Sequence, residues 1–146
     1  MSPPLVVRPR RLAWMAWAMA LTLTGVFGLV GFALTRSEGE LQFGLVDAVA
    51  MTGLGALLGG CALLLTRARV VAGADGVRVR NVLGDKGFPW GVVREVRFPD
   101  GASWASLELQ DDETVALLAV QANDGVRAQE AVRALRALLA ESRQRP

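Results

Sequence analysis

The feature that most constrains this chain is an uncharged apolar run of 23 residues, from Leu12 to Leu34. An α-helix rises 1.5 Å per residue, so a run of this length crosses a hydrocarbon core of about 30 Å. A second apolar run extends from about Leu45 to Leu65 and carries one charge, Asp47, near its start. We therefore predict a transmembrane helical hairpin over residues 12–66, with spans of about 12–34 and 45–65. Asp47 at the start of a span suits a cap or an interfacial position better than an ion path.

Positive charge flanks this hairpin on both outer sides, whereas the connecting loop is acidic, with Glu38 and Glu40 against Arg36. The positive-inside rule then predicts a two-pass protein with both termini in the cytoplasm. A signal peptide is the competing interpretation, but the apolar region is too long and no clear cleavage motif follows. The anionic cytoplasmic leaflet attracts basic residues beside a span, which gives five candidate membrane-surface contacts: Arg8, Arg10, Arg11, Arg67 and Arg69.

Small residues recur inside both predicted spans. Gly25 and Gly28 are three apart in the first, and Gly55 and Gly59 form a GxxxG motif in the second. Glycines let helix backbones approach closely in lipid. These four glycines are therefore candidate helix-packing positions. Packing of the two spans against each other is the favoured interpretation, and dimerisation between chains remains open.

From about Arg69 onward the apolar residues alternate, as in strands with one buried face. Polar or glycine-containing turns separate the strands near Asp75-Gly76, over 81–87, near Pro99 and over 111–113. From about Asp124 to Ser142 the spacing becomes helical, and Asn123 or Asp124 is placed to act as the N-cap. We predict an α+β domain of five to seven short antiparallel strands, whose open end is closed by the terminal helix. Trp90 is predicted to lie in its core.

The phrases DGVRVRN and FPWGVVREV resemble a bacterial pleckstrin-homology (PH) pattern, in which a glycine-containing hairpin precedes a Pro-Trp strand. VALLAVQANDGVRAQEAVRALRALL resembles the end of an actinobacterial family named for a low-molecular-weight protein antigen. Many members of that family place two transmembrane helices before a PH-like domain, in the same order as the segments predicted in this chain. The resemblance implies a small PH-like β-barrel or sandwich with a C-terminal capping helix, in a bacterial inner (plasma) membrane. It implies no enzymatic activity. The predicted division is a basic tail over 1–11, the hairpin over 12–66 and a cytoplasmic PH-like domain over 67–146.

The chain contains few of the residues and motifs that carry out catalysis or bind metals and cofactors. It has no histidine or tyrosine, one cysteine, and no phosphate-binding glycine loop. Three adjacent acids at 111–113 are interpreted as a solvated turn rather than a metal site. The basic residues form no dense stripe, so no nucleic-acid binding is expected. We predict no catalytic residue, metal, cofactor or small-molecule substrate.

The remaining candidate sites concern binding. Arg78, Arg80 and Lys86 near the first hairpin are candidate contacts for an anionic ligand, although acidic neighbours stand close by. Trp104 shares a strand face with polar residues and is a candidate partner contact. The predicted function is a non-catalytic, membrane-anchored PH-like interaction or scaffold module at the cytoplasmic face. The alternative is an accessory subunit of a larger membrane complex, held through its glycine-rich spans. The expected partners are the lipid bilayer and another membrane protein or a second copy of the chain.

Overall fold

A computed structural model describes residues 4–37, 43–82 and 84–145 of the chain. They form two compact units, and the first is a pair of helices within Leu12–Thr66. Helix α1 covers Arg10–Thr35, helix α2 covers Leu45–Leu63, and a 3-10 turn at Leu64–Arg67 follows. Both helices are long and apolar enough to cross a membrane, judged by length and composition.

The GxxxG motif of α2 packs directly against α1. A Cβ atom added to Gly55 would lie 2.6 Å from the Cβ of Phe27 and 2.8 Å from the carbonyl oxygen of Leu23. One added to Gly59 would lie 3.0 Å from the backbone of Ala20. Only a hydrogen fits between the two backbones at these positions, so both glycines serve packing within one chain.

The glycines of α1 contribute unequally to this contact. A Cβ at Gly31 would meet the Ala48 carbonyl oxygen at 3.0 Å, and one at Gly28 would reach Thr52 at 3.6 Å. A Cβ added at Gly25 would meet no heavy atom of the described residues within 4 Å, so Gly25 takes no part in the contact between α1 and α2. The α1 residues that meet α2 recur every three or four positions, and Gly25 falls outside that stripe.

Asp47 caps the start of α2. Its Oδ2 accepts a hydrogen bond of 2.8 Å from the backbone N–H of Gly44. This bond satisfies an amide at a helix end, and a negative charge in the first turn complements the helix dipole. Of the roles considered for Asp47, the structure therefore shows capping.

Among the residues that the structure describes, the second unit contains seven strands in two antiparallel sheets, followed by helix α3 at Val126–Gln144. The first sheet has the order β1-β2-β3-β4, with bounds Leu5–Val7, Arg69–Ala72, Gly76–Arg80 and Asp85–Pro89. The second has the order β5-β6-β7, with bounds Val93–Arg97, Trp104–Leu109 and Thr114–Gln121. The predicted α+β class, with two apolar helices ahead of antiparallel strands and a terminal helix, is confirmed.

Strand β1 is the main departure from the sequence analysis, which treated residues 1–11 as a basic tail. Leu5 pairs with Ala72, Val6 with Val71, and Val7 with Val70. The described residues before Leu12 thus belong to the same unit as those from Arg67 onward. The two long helices are an insertion between adjacent strands of one sheet, rather than a segment placed ahead of a complete domain.

The segment 81–98 also differs from the prediction. Asp85 to Gly87, predicted as turn residues, lie in β4 and pair with β3. The run predicted as one strand after this turn is divided by a 3-10 turn at Trp90–Val92, which carries the chain from one sheet to the other. Trp90 is 5% exposed and its indole N–H donates to the Gly73 carbonyl at 2.8 Å, so its predicted core position is confirmed.

Helix α3 closes the sheets as predicted. Its buried side chains follow helical spacing, and Leu135 is fully buried in a cluster with residues of both sheets, including Val70 and Leu107. A helix that lay on the surface of the domain would not bury these positions. The buried positions of α3 are Ala128, Ala131, Val132, Leu135 and Leu139.

Two arginines of α3 also cover the outer edge of β5. Arg136 Nε donates to the Val96 carbonyl oxygen at 3.0 Å, and the Arg143 guanidinium donates to the Arg94 carbonyl oxygen. An edge strand presents unpaired backbone groups that invite pairing with another chain. Arg136 and Arg143, seven residues apart on one helix face, occupy two of these acceptors.

Replacing Gly55 with alanine tests the helix contact. We expect Gly55→Ala to destabilise the α1–α2 pair by about 1–3 kcal/mol, because the added methyl must displace backbone atoms of α1. The matched control is Gly53→Ala, where an added Cβ has no neighbour within 4 Å. Reversible unfolding of the full chain in mixed micelles, followed by circular dichroism, gives both values. Equal stability of the two variants would contradict the tight contact.

Candidate functional site

The β1–β2 pairing gathers arginines at one end of the first sheet. Val7 pairs with Val70, so the next residues along each strand, Arg8 and Arg69, are neighbours. Arg10 and Arg11 are the first two residues of α1. Arg67 is the last residue of the 3-10 turn, and only Ala68 separates it from β2. The five arginines predicted as membrane-surface contacts thus cluster where the chain leaves this unit for the apolar helices and where it returns.

The outer face of the first sheet continues this positive charge but contains one acid. Arg69 pairs across the strands with Arg80, which in turn pairs with Asp85. The Arg78 guanidinium donates to Asp85 Oδ1 at 2.8 Å, and this hydrogen bond holds the pKa of Asp85 below its ordinary value. The positive charge of Arg80 and Arg69 acts in the same direction. Arg78 is therefore engaged within the protein, which weakens it as a contact for an external anion.

Lys86 does not join Arg78 and Arg80. It pairs with Val79, whereas Arg78 pairs with Gly87, and directly opposed residues of a sheet share a face. Lys86 thus lies on the opposite face of the sheet, where its Nζ is 4.0 Å from Glu113. The three candidate anion contacts therefore do not share one face of the sheet, because a strand alternates its side chains between two faces.

A second charged cluster lies on the exposed face of the other sheet. Arg97 forms a hydrogen-bonded ion pair with Glu108 and lies 3.4 Å from Glu95. The hydrogen bond from Arg97 lowers the pKa of Glu108. These charges satisfy one another across neighbouring strands, which is the expected arrangement of a solvated sheet face.

The acids at 111–113 form a turn, in agreement with their interpretation from sequence. Asp111 Oδ1 accepts from the Glu113 N–H at 3.2 Å, and Asp112 lies 2.7 Å from Arg94. Asp112 has a φ of 64°, a backbone conformation that Asp adopts more readily than most residues. Within residues 4–37, 43–82 and 84–145, no group of three or more candidate ligands is placed to hold a metal ion.

Trp104 lies at the start of β6 and is 46% exposed. It pairs with Gln121, the last residue of β7. The next residue, Ala122, joins this strand end to α3: its N–H donates to the Ser103 carbonyl, and its own carbonyl accepts from Gly125, both at 2.9 Å. Val126, the first residue of α3, is 66% exposed. The structure thus places two exposed apolar side chains at one end of the domain.

Asp124 has a partner that the sequence did not indicate. It was expected to cap α3, but Gly125 occupies the N-cap position and no side chain caps this helix. The Asp124 carboxylate instead accepts from the backbone N–H of Arg11, in the first turn of α1, at 3.4 Å. Asp124 therefore helps to satisfy the start of α1, which has no acid in its own first turn.

A groove runs between β1 and the first half of α3. Leu5 to Val7 line one side of it, and Ala131 and Ala134 lie on the other. Three arginines and one acid also line the groove: Arg8, Arg10, Arg127 and Glu130. Sequence analysis did not single out Arg127, since it reads as one more polar residue on an amphipathic helix. Only the position of β1 reveals that it stands beside Arg8 and Arg10.

Known proteins resemble this chain over the domain and beyond it. Residues 67–138 match the family described as Bacterial PH domain, a range that omits β1. The uncharacterized protein Rv1417 of Mycobacterium tuberculosis is 38% identical over 138 residues, which cover 94% of this chain and 90% of the relative. The uncharacterized protein Mb1452 of Mycobacterium bovis gives the same values. Coverage of this extent includes the apolar helices as well as the strands.

The two lowered carboxyl pKa values predict how acid acts on the domain. Ionised Glu108 and Asp85 are favoured in the folded state, so their stabilising contribution is complete above the unfolded-state pKa of about 4. It is lost as the pH falls through the lower folded-state values. Between neutral pH and about pH 3, we expect the melting temperature to fall less in Glu108→Gln and in Asp85→Asn than in the parent chain.

The control for this titration is Glu141→Gln, an exposed acid of α3 that forms no ion pair within the described part of the chain. The measurement is the melting temperature of the full chain in micelles as a function of pH. If the melting temperatures of all four proteins fall equally with pH, the two carboxyl groups do not contribute to stability as predicted.

Proposed function

Since this chain belongs to the bacterial PH domain family, we propose that it is an interaction module fixed to the cytoplasmic face of the bacterial plasma membrane by α1 and α2. The proposal is one of binding and not of catalysis. In this proposal the two apolar helices anchor the chain in the membrane, and the surface of the PH domain recognises a partner. The partner class is another membrane protein or a second copy of the chain.

The observation that carries this proposal is the pairing of β1 with β2. The chain leaves the first sheet at Val7, passes through both apolar helices, and returns to the same sheet at Val70. If the helices cross a membrane, hydrogen bonding between these strands requires an even number of crossings. Two helices of spanning length meet that requirement.

The orientation is supported by the arginines at the two connections. Arg8, Arg10 and Arg11 precede the first apolar helix, and Arg67 and Arg69 follow the second. Basic residues beside spans are retained on the cytoplasmic side. Each also gains about 1 kcal/mol beside an anionic leaflet, so topology and surface attraction favour the same side.

Cysteine labelling of the full chain tests this topology. With Cys61→Ser as background, we expect Ser37→Cys, after α1, to react with a membrane-impermeant maleimide in intact spheroplasts. Asp75→Cys, in the exposed turn between β2 and β3, should react only after permeabilisation. Labelling of Asp75→Cys in intact spheroplasts would refute the cytoplasmic orientation, and protection of both sites until lysis would refute spanning.

A second candidate function, an accessory subunit held through its spans, is supported by the outward glycines. Gly55 and Gly59 contact α1 within the hairpin, whereas a Cβ added at Gly53 or Gly60 would have no heavy atom of the described residues within 4 Å. Both therefore present bare backbone to the surroundings of the helix pair, as a helix-to-helix contact requires.

A pulldown of the full-length tagged chain from native membranes in mild detergent separates the two functions. For an accessory subunit, Gly53→Leu with Gly60→Leu should abolish a stoichiometric partner, because the added side chains prevent backbone approach. For an adaptor, that partner should survive and be lost with Trp104→Ala, which removes an exposed aromatic. Retention of the same partner by both variants would contradict both assignments.

A further inference from the structure

The first sheet ends at β1, and one side of this strand is open. In the order β1-β2-β3-β4, β1 pairs only with β2 among the residues that the structure describes. An open edge of this kind is where a strand of another chain can be added to a sheet. The β5 edge of the other sheet is different, because Arg136 and Arg143 already bind its carbonyl oxygens.

The register of the sheet shows which backbone groups of β1 face this open edge. The Gly73 N–H donates to the Gly76 carbonyl oxygen, and successive residues of a strand direct their backbone groups alternately to its two sides. Within β2, Val71 therefore bonds to β3, and the residues on either side of it bond to β1. Val6 lies opposite Val71. The N–H and C=O of Val6 consequently point away from β2, toward the open edge.

The groove between β1 and α3 lies along this open edge. Its volume is about 560 Å³, and sites that hold ligands measure about 300–1,000 Å³. Ala131 and Ala134 form the α3 side of the groove with small side chains, and Val6 on the β1 side is 51% exposed. A strand added to β1 would lie about 4.8 Å from it, which places that strand in this groove.

Positive charge predominates in the groove. Three arginines line it: Arg8, Arg10 and Arg127. Glu130 is the one acid among its lining residues, so the net charge is +2. None of these four side chains forms an ion pair with another residue of the described part of the chain. A ligand that supplies carboxylates complements this charge.

From the open edge and the arginines together, we infer that a short, extended, acidic segment of a partner protein binds in this groove as an added strand of the first sheet. Its backbone bonds to Val6, and its carboxylates lie beside Arg8 and Arg127. A small anion would neutralise the arginines but has no backbone for Val6, and a basic strand would be repelled. The inference names the partner chemistry of the proposed interaction function and rests on that function.

A defined peptide tests strand addition. The probe is a fluorescent peptide of about eight residues that alternates valine and glutamate, and its binding to the full chain in micelles of an uncharged detergent is followed by anisotropy. The control peptide alternates valine and lysine. We expect saturable binding of the acidic probe and at least several-fold weaker binding of the basic one. Equal binding of the two peptides, or no binding of the acidic probe, would overturn the inference.

Methylation of the probe backbone separates strand pairing from attraction between charges. In an antiparallel pair, the residue opposite Val6 directs its N–H toward β1 and shares a face with Val6 and hence with Arg8. The glutamates therefore occupy these positions. N-methylation of the glutamates should weaken binding several-fold, whereas N-methylation of the valines should be tolerated. Equal binding of both methylated probes would refute strand addition.

Variants of the chain test the same contacts from the other side. Val6→Pro removes the outward N–H, and because this N–H does not bond to β2, the melting temperature should remain near that of the parent. The probe should bind this variant several-fold more weakly. Arg127→Glu should also weaken binding several-fold, and Glu130→Gln should strengthen it. The matched control is Arg133→Glu on the same helix, which does not line this groove and should change binding much less.

The alternative occupant of the edge is a second copy of the chain. In that case Val6→Pro would alter the oligomeric state in micelles while the acidic probe fails to bind, which overturns the inference and leaves the proposed interaction function intact. Failure of the probe, together with a pulldown partner that Val6→Pro and Arg127→Glu both retain, would likewise refute the inference alone. Failure of the probe and absence of any partner would refute both.

Discussion

The organisation of this protein depends on the pairing of three residues of β1 with three residues of β2. Val7 and Val70 are neighbours in the sheet, although both apolar helices lie between them in the sequence. Closing a flexible loop of that length costs conformational entropy, and three residue pairs between strands provide little stabilising free energy to offset it. The pairing therefore needs the intervening segment to bring its own ends together.

The glycine contacts between α1 and α2 provide that closure. Gly31 meets Ala48 near the turn of the hairpin, Gly55 meets Leu23 further along, and Gly59 meets Ala20 further still. The contact thus runs antiparallel and leads the start of α1 toward the end of α2. With the hairpin formed, β1 and β2 approach as if joined by a short loop. Helix packing and strand pairing consequently support each other, even though they belong to different compact units.

Sequence patterns predicted the elements whose signals are long and periodic. Two long apolar runs, the alternation after Arg69 and the helical spacing of α3 indicated the class, and Trp90 followed from its place beside Pro89. Strand β1 was missed because three apolar residues between prolines carry no period, and its partner is distant in sequence. The run LVV, rich in β-branched residues, is a weak signal that its neighbours obscure.

The candidate sites were less accessible to sequence reasoning for a related physical reason. Lys86 lies near Arg78 in the chain but on the opposite face of the sheet, because the register of β3 and β4 decides which side chains meet. Asp124 binds the start of α1 rather than capping its own helix, and Arg127 joins Arg8 through a groove with β1. Each of these relations crosses more than 100 residues or depends on register, and neither property is visible as a local pattern.

The two apolar helices are joined to the first sheet of the PH domain through two very short connections. Only Arg8 and Pro9 separate β1 from α1, and only Ala68 separates the 3-10 turn from β2. The chain therefore leaves and re-enters the first sheet at two adjacent strands, through connections of one or two residues. The β5 edge is already occupied by Arg136 and Arg143, so adding a partner strand there would cost two charge-assisted hydrogen bonds. A partner strand therefore binds at this edge only if Arg136 and Arg143 first release the carbonyl oxygens of Val96 and Arg94.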